Sequence, residues 1–249
     1  MTTPESSWER TPQELALPDG EVHVWRADLD RPAARIEELA QTLSADERER
    51  AGRFHFEEHR SRFIAARGVL RTLLGRYLST APQELKFCYS AHGKPALDGL
   101  SEAATLCFNL SHSHTLALYA MNQNRQVGID VEHRRRNVDD EQVAGRFFAR
   151  AEVEALQTLP EALREAAFFN CWTRKEAYLK ARGEGVTRSL DSFAVSLQPG
   201  EPAALLSCTS DPGEVARWSL RALNPGPDYA AALCVAGNDW QLRCYQWSD

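Results

Sequence analysis

Apolar residues recur along this chain with two different periods, and the changes from one to the other mark out its elements. In Glu21-Val22-His23-Val24-Trp25 apolar and polar side chains alternate, which predicts a half-buried strand. Helix follows. Leu43-Ser44-Ala45-Asp46-Glu47 has the form of a capping box, with Ser44 accepting from the Glu47 amide while the Glu47 carboxylate reaches back. Over 60–78, Phe63, Ile64, Val69, Leu70, Leu73, Leu74 and Leu78 fall at helical spacing with arginines between them. From 85 to 119, short apolar runs broken by Gly93, Pro95 and Gly99 predict strands and loops. Residues 126–132 form the next strand, and the basic loop Arg134-Arg135-Arg136-Asn137 leaves it. Helices are predicted over 139–149, 151–158 and 161–182, then strands over 192–197, 218–223, 229–235 and 240–247, separated by Pro- and Gly-containing turns. The order strand, helices, strands thus occurs twice, without a repeat of residue identities. The expected fold is α+β, two similar halves over 1–126 and 127–249.

Composition narrows the setting. No basic region followed by an apolar stretch opens the chain, and no run approaches the roughly 18 apolar residues of a membrane span, so a soluble, cytoplasmic protein with no membrane partner is expected. The six cysteines are scattered, mostly inside apolar runs and never at the two-residue spacing of zinc or redox sites; buried free thiols are expected. A net charge of −6 argues against a general nucleic-acid binder. Of 29 basic residues only Lys86, Lys94, Lys175 and Lys180 are lysines, compact point charges on flexible stems, and three of the four lie in the segments considered next.

In Gly128-Ile129-Asp130-Val131-Glu132 side chains alternate faces, so Asp130 and Glu132 share one face and Val127, Ile129 and Val131 the other. Such a pair is either a solvated acidic face or, since like charges repel, a site for a hard divalent cation, Mg²⁺ or Mn²⁺. On the helix around Trp172, Glu176 falls inside the apolar sector of Phe168, Phe169, Trp172 and Leu179. A carboxylate there needs a partner or a metal. Lys180, one turn later, could supply an ordinary ion pair.

The segments Gly93-Lys94-Pro95, Phe108-Asn109-Leu110-Ser111-His112-Ser113, Gly128-Ile129-Asp130-Val131-Glu132 and Trp172-Thr173-Arg174-Lys175-Glu176-Ala177-Tyr178-Leu179-Lys180 resemble, in this order, the signatures of 4'-phosphopantetheinyl transferases, most closely of the surfactin-synthetase-activating type. The resemblance implies two α+β halves with coenzyme A in the cleft between them, the N-terminal half contacting nucleotide and the C-terminal half carrying the metal and docking the carrier protein. It implies Asp130, Glu132 and Glu176 as Mg²⁺ ligands, and His112 with Ser111 at the phosphates. Lys94 would lie near the nucleotide end and Lys180 would face the transferring phosphoryl group. Glu176, Lys180 and His112 are then the catalytic set, and apo acyl or peptidyl carrier proteins the partners of a monomeric enzyme. His114 follows the signature and is assigned no role.

Arg48, Arg50, Arg53, Arg60, Arg62, Arg67 and Arg71 crowd the N-terminal helices. Guanidinium forks suit the phosphates of coenzyme A, but arginines on a helix also pair with neighbouring carboxylates such as Glu49 and Glu57. Arg50 and Arg62 are the candidates for the nucleotide, by resemblance. Rival readings are a coenzyme A-binding sensor or scaffold without activity, marked by a missing carboxylate or motif lysine, and, last, a coenzyme A diphosphatase.

Overall fold

The computed structural model describes residues 7–12, 15–98, 106–135, 140–183 and 189–248. A two-residue strand, β1 (Glu9–Arg10), precedes the first half: β2 (Glu21–Asp28), α1 (Ala33–Gln41), α2 (Ala45–Gly52), α3 (Glu57–Leu78), the hairpin β3 (Phe87–Tyr89) and β4 (Pro95–Leu97), then β5 (Leu106–Ser113) and β6 (Leu116–Gln123). The second half runs β7 (Val127–His133), α4 (Asp140–Phe147), α5 (Arg150–Thr158), α6 (Glu161–Arg182), the hairpin β8 (Phe193–Val195) and β9 (Leu205–Cys208), a short α7 (Glu214–Arg217), then β10 (Trp218–Leu223) and β11 (Tyr229–Ala236). The final strand β12 (Gln241–Gln246) returns to pair in parallel with β2. Strand order β2-β6-β5 in one sheet is repeated as β7-β11-β10 in the other. The order strand, helices, strands therefore recurs as architecture. Neither β9 nor α7 was predicted, because four residues are too few to show a period.

The repeat extends to buried charge. Glu47 near the start of α2 accepts from the Ser44 amide at 3.1 Å, as the capping box predicts, and also holds Arg67 and Arg71 of α3, with Arg71 Nε at 2.5 Å. Glu152, near the start of α5, accepts from the Ala149 amide at 2.8 Å and holds Lys175 of α6 at 2.7 Å. The spare donors of Arg71 go to the Pro82 and Leu85 carbonyls, and those of Lys175 to Leu190 and Phe193. Lys175 is thus a buried structural cation.

The layers are helix, sheet, sheet, helix. Strand alternation decides which side chain enters which layer. Val127, Ile129 and Val131 of β7 pack between the sheets with Val22, Val24, Leu118 and Ala120. The opposite face of β7 lies on α6. There Gly128 is in backbone contact with the helix: a Cβ at this position would stand 2.1 Å from the Ala177 carbonyl oxygen and 2.2 Å from the Ala181 amide nitrogen. Both are backbone atoms that no rotamer change can move, so Gly128→Ala should destabilise the fold by more than about 3 kcal/mol, read as the urea midpoint.

A buried polar chain in the first half yields a pH prediction. The Trp25 Nε1–H donates to the Tyr77 hydroxyl at 2.8 Å, so that hydroxyl sends its own proton to His23 Nδ1 at 2.7 Å, and His23 Nε2–H faces Glu21 at 3.0 Å. A second ring proton would meet the Tyr77 hydroxyl. Burial, the largest influence, holds His23 below its ordinary 6.5 although Glu21 acts in the other direction. A base with a depressed folded pKa stabilises fully above its unfolded value, so stability should decline as pH falls below 6.5. In His23→Gln, urea midpoints measured across this range should show a weaker decline.

None of the six cysteines is in a disulfide. Four are buried and Cys107 half-buried, but Cys88 is exposed on the β3–β4 hairpin, where its alternate position faces outward. Among the described residues no helix is long and apolar enough to cross a membrane.

Candidate active site

The cleft lies where β5, the edge of one sheet, meets β7, the edge of the other. Side chains at every second residue of β5 close this seam. Asn109 Oδ1 accepts from the Ile129 amide at 2.9 Å, Ser111 Oγ donates to Asp130 Oδ1 at 2.9 Å, and Ser113 Oγ donates to Glu132 at 2.9 Å while accepting from the His133 amide at 3.1 Å. Sequence reasoning assigned only Ser111 here. The alternation Asn109, Ser111, Ser113 was the available signal for the other two.

Above the seam a cleft of about 680 Å³ is walled by Arg50, Arg62 and Arg67 from the first half, Lys94 from the β3–β4 hairpin, Ser111 and His112 from β5, and Glu176 and Lys180 from α6. Its charged lining is five cations, Arg50, Arg62, Arg67, Lys94 and Lys180, against the single carboxylate of Glu176. Arg50 lies over the Phe63 ring, 5.3 Å from its centroid, and has no carboxylate partner among the described residues. Arg62, the other candidate for the nucleotide, is engaged by carboxylates: it forks onto Asp30 at 2.7 and 3.1 Å and pairs with Glu58. Arg67, buried on Glu47, also donates to the Tyr89 hydroxyl at 3.2 Å. Arg53 and Arg60 pair with Glu49 and Glu57 on the exposed helix faces. His112 stands exposed at the cleft; enclosure by the walls and then the charges of Lys180 and Arg50 hold it below the ordinary histidine value.

Lys180 does not pair with Glu176 on its own helix. Its ammonium donates to Asp130 Oδ1 at 2.6 Å and to Ser111 Oγ at 2.9 Å, crossing from helix to strand. An ammonium has three donors, so one remains for the cleft. Lys94 lines the cleft with its stem, but its ammonium turns away to the carbonyls of Val127, Lys180 and Ala181 at 3.0, 2.6 and 3.2 Å.

The three carboxylates share one electrostatic neighbourhood. Burial first, then Asp130, raises Glu132; burial and Asp130 raise Glu176 likewise, with Glu132 adding to the effect and Lys180 opposing it. The resemblance implies that all three hold one ion; among the described residues no three His, Cys, Asp or Glu side chains stand together as a metal-binding group. The reason is local. Glu132 is drawn to Ser113 and Asp130 to Lys180. The donor set nevertheless suits a hard cation, because Asp130 Oδ2 is buried without any hydrogen-bond partner and two further carboxylates near it resist ionisation.

A cleft with mostly cationic charged walls, set over buried Asp130 and half-buried Glu132 and Glu176 between the halves of a repeated α+β frame, suits a phosphorylated substrate. Residues 126–234 match the 4'-phosphopantetheinyl transferase superfamily model, and 25–124 match the model of a 4'-phosphopantetheinyl transferase N-terminal region. The chain is 45% identical over 241 residues to the 4'-phosphopantetheinyl transferase HetI of Nostoc sp. (strain PCC 7120), covering 97% of this chain and 98% of that one. It is 27% identical over 215 residues to the 4'-phosphopantetheinyl transferase Sfp of Bacillus subtilis (strain 168), covering 85% and 91%. The crystal structure of Thermotoga maritima holo-[acyl-carrier-protein] synthase aligns at 25% identity over 45% of this chain and 63% of its own, with a TM-score of 0.37. The chain belongs to the 4'-phosphopantetheinyl transferase family. Its reaction moves the 4'-phosphopantetheine of coenzyme A onto a carrier-protein serine.

Proposed function

We propose that this enzyme is a Mg²⁺-dependent transferase of the surfactin-synthetase-activating type, in which Asp130, Glu132 and Glu176 hold the ion. The observation that carries this reading is the unpartnered, buried Asp130 Oδ2 beside Lys180 at the seam of a cationic cleft. Bound there, Mg²⁺ (or Mn²⁺) would neutralise diphosphate charge. The chain's own residues supply the rest. Arg50 and His112 bind phosphate oxygens, Ser111 fixes the Lys180 ammonium, and the third Lys180 donor meets the phosphoryl oxygen on which charge develops. Arg62 keeps the nucleotide wall in place through Asp30. As the carrier Ser Oγ forms its bond to the β-phosphorus, Glu176 takes the hydroxyl proton, directly or through a water, and the bond to the adenosine 3',5'-bisphosphate oxygen breaks. A raised pKa makes Glu176 a better base than a solvated carboxylate. Free buried thiols suit a reducing cytoplasm, where we read the enzyme as a monomer.

The test is direct. With coenzyme A, Mg²⁺ and assorted apo-carrier domains, at least one carrier should gain the phosphopantetheine mass; no gain on acyl or peptidyl carriers would overturn the reading.

The carrier would dock beside β7. Arg135 is exposed next to Glu132, and the Arg134 backbone amide donates to the Asp228 carbonyl at 2.8 Å, while Arg136 lies outside the described residues. Replacing all three with Ser should raise the carrier KM and flatten its salt dependence, with coenzyme A affinity unchanged. An unaltered carrier KM would remove this docking surface.

A further inference from the structure

The Lys94 ammonium spends its three donors on protein carbonyls, and two of these, of Lys180 and Ala181, belong to the last turn of α6. Such carbonyls have no partner inside the helix and carry the negative end of its dipole, so a cation is favourable there. The third carbonyl, of Val127, opens β7 immediately before Gly128, where strand and helix backbones touch. Lys94 therefore joins the two elements that carry Asp130 and Lys180 at their point of closest approach.

Comparison with the twin helix sharpens this. α3 has the same length, and its C-terminus also ends on a left-handed residue, Ser79 in place of Gly183. Its exit is closed locally, the Thr80 amide donating to the Gly75 carbonyl at 3.0 Å and the Thr80 hydroxyl to Leu78 at 3.1 Å. Among the described residues no lysine reaches the end of α3. Of the twin helices, the one bearing Glu176 and Lys180 is the one that a lysine clamps from outside, among the described residues.

We propose that Lys94 is a positioning residue: it fixes the Lys180 peptide against β7 and so sets the Lys180 ammonium on Asp130 and Ser111, without itself touching nucleotide. This rests on the transferase reading of the site. The Gly93-Lys94-Pro95 turn can still wall the cleft, with Gly93 at φ 78° allowing the hairpin to present the lysine inward.

The four lysines of the chain make a self-controlled footprint of the wild-type protein by amine-selective labelling. Lys86 is exposed and should label always, and Lys175, fully buried, never. Lys180 should lose its label when coenzyme A is added. Burial brings Lys94 down to about 8, which by acid–base chemistry alone would favour its labelling. Its protection both with and without coenzyme A is the expected result. Labelling of Lys94 in the free protein that coenzyme A then blocks would overturn the proposal, since that is the behaviour of a nucleotide ligand.

In Lys94→Met the stem remains and the clamp is lost. Measured well below its melting temperature, the variant should lose at least about tenfold in kcat per folded molecule, with the coenzyme A KM changed by less than about threefold. A raised KM with kcat retained, or a lower melting temperature with kcat retained, would refute positioning. The footprint needs neither turnover nor a variant. A wild-type protein that loads no carrier bears on the transferase reading, and the footprint still decides the clamp.

Discussion

Excess EDTA should abolish phosphopantetheine transfer, Mg²⁺ should restore it, and Asp130→Asn should fall by at least about a hundredfold even in saturating Mg²⁺. The expectation follows from the two oxygens of one carboxylate. Oδ1 is satisfied twice, by Ser111 and Lys180, whereas Oδ2 is buried with no partner. A buried polar atom left unmatched costs about 1–3 kcal/mol, and more when charged, and Asp130 Oδ2 is the one carboxylate oxygen so placed among the described residues. Asparagine preserves the shape and the approach of Ser111 but removes the charge and puts an amide in reach of the Lys180 ammonium. Alanine would be a poorer test, because breaking the buried pair with Lys180 destabilises the fold as well. The measurement is the initial rate of carrier mass gain, with Mg²⁺ affinity followed in parallel by thermal shift. Undiminished transfer in EDTA, or near-wild-type turnover of Asp130→Asn, would exclude this site.

Glu176→Gln should cut kcat by about 10²–10⁴-fold while coenzyme A affinity changes little. Glutamine keeps the size of the side chain and gives up both its charge and its basicity. Glu176 has no hydrogen-bond partner among the described residues, so no structural contact is broken by the exchange. The ion pair with Lys180, the alternative open to the sequence, does not form, since Lys180 is committed to Asp130. Arg50, Ser111 and His112 remain to hold the nucleotide and phosphates. A surface ion pair is worth under about 1 kcal/mol, so a rate within a few-fold of wild type would mark Glu176 as structural and remove the proposed base.

Much of this was legible in advance because periodicity is a local property. The alternation in β7 put Val127, Ile129 and Val131 between the sheets and Asp130 toward α6, and the helical spacing over 161–182 put Glu176 beside Trp172 and Leu179. What the chain concealed was pairing over long separations. Nothing near Lys180 announces that its partner is Asp130, fifty residues back, and nothing in Gly93-Lys94-Pro95 announces the end of α6. Nothing near Arg62, singled out with Arg50 for the nucleotide, announces Asp30 as its partner. Gly128 reads as an ordinary strand glycine until a helix lies on it. Such contacts depend on the packing of one half against the other, which no single segment encodes.

The paired helices α3 and α6 are built alike, with Arg71 and Lys175 each fifteenth from the start and each bound to a buried glutamate. One residue further along, the twins diverge. Where α6 has Glu176, α3 has Thr72, whose hydroxyl is spent on the Gly68 carbonyl at 2.8 Å; where α6 has Lys180, α3 has Arg76, bonded to the Pro12 carbonyl at 3.0 Å. The frame is doubled but the chemistry is not. A chain so made has one reaction centre for two scaffolds, and coenzyme A titrated into it by calorimetry should saturate at a single equivalent, the spare scaffold serving as the wall that the substrate leans on.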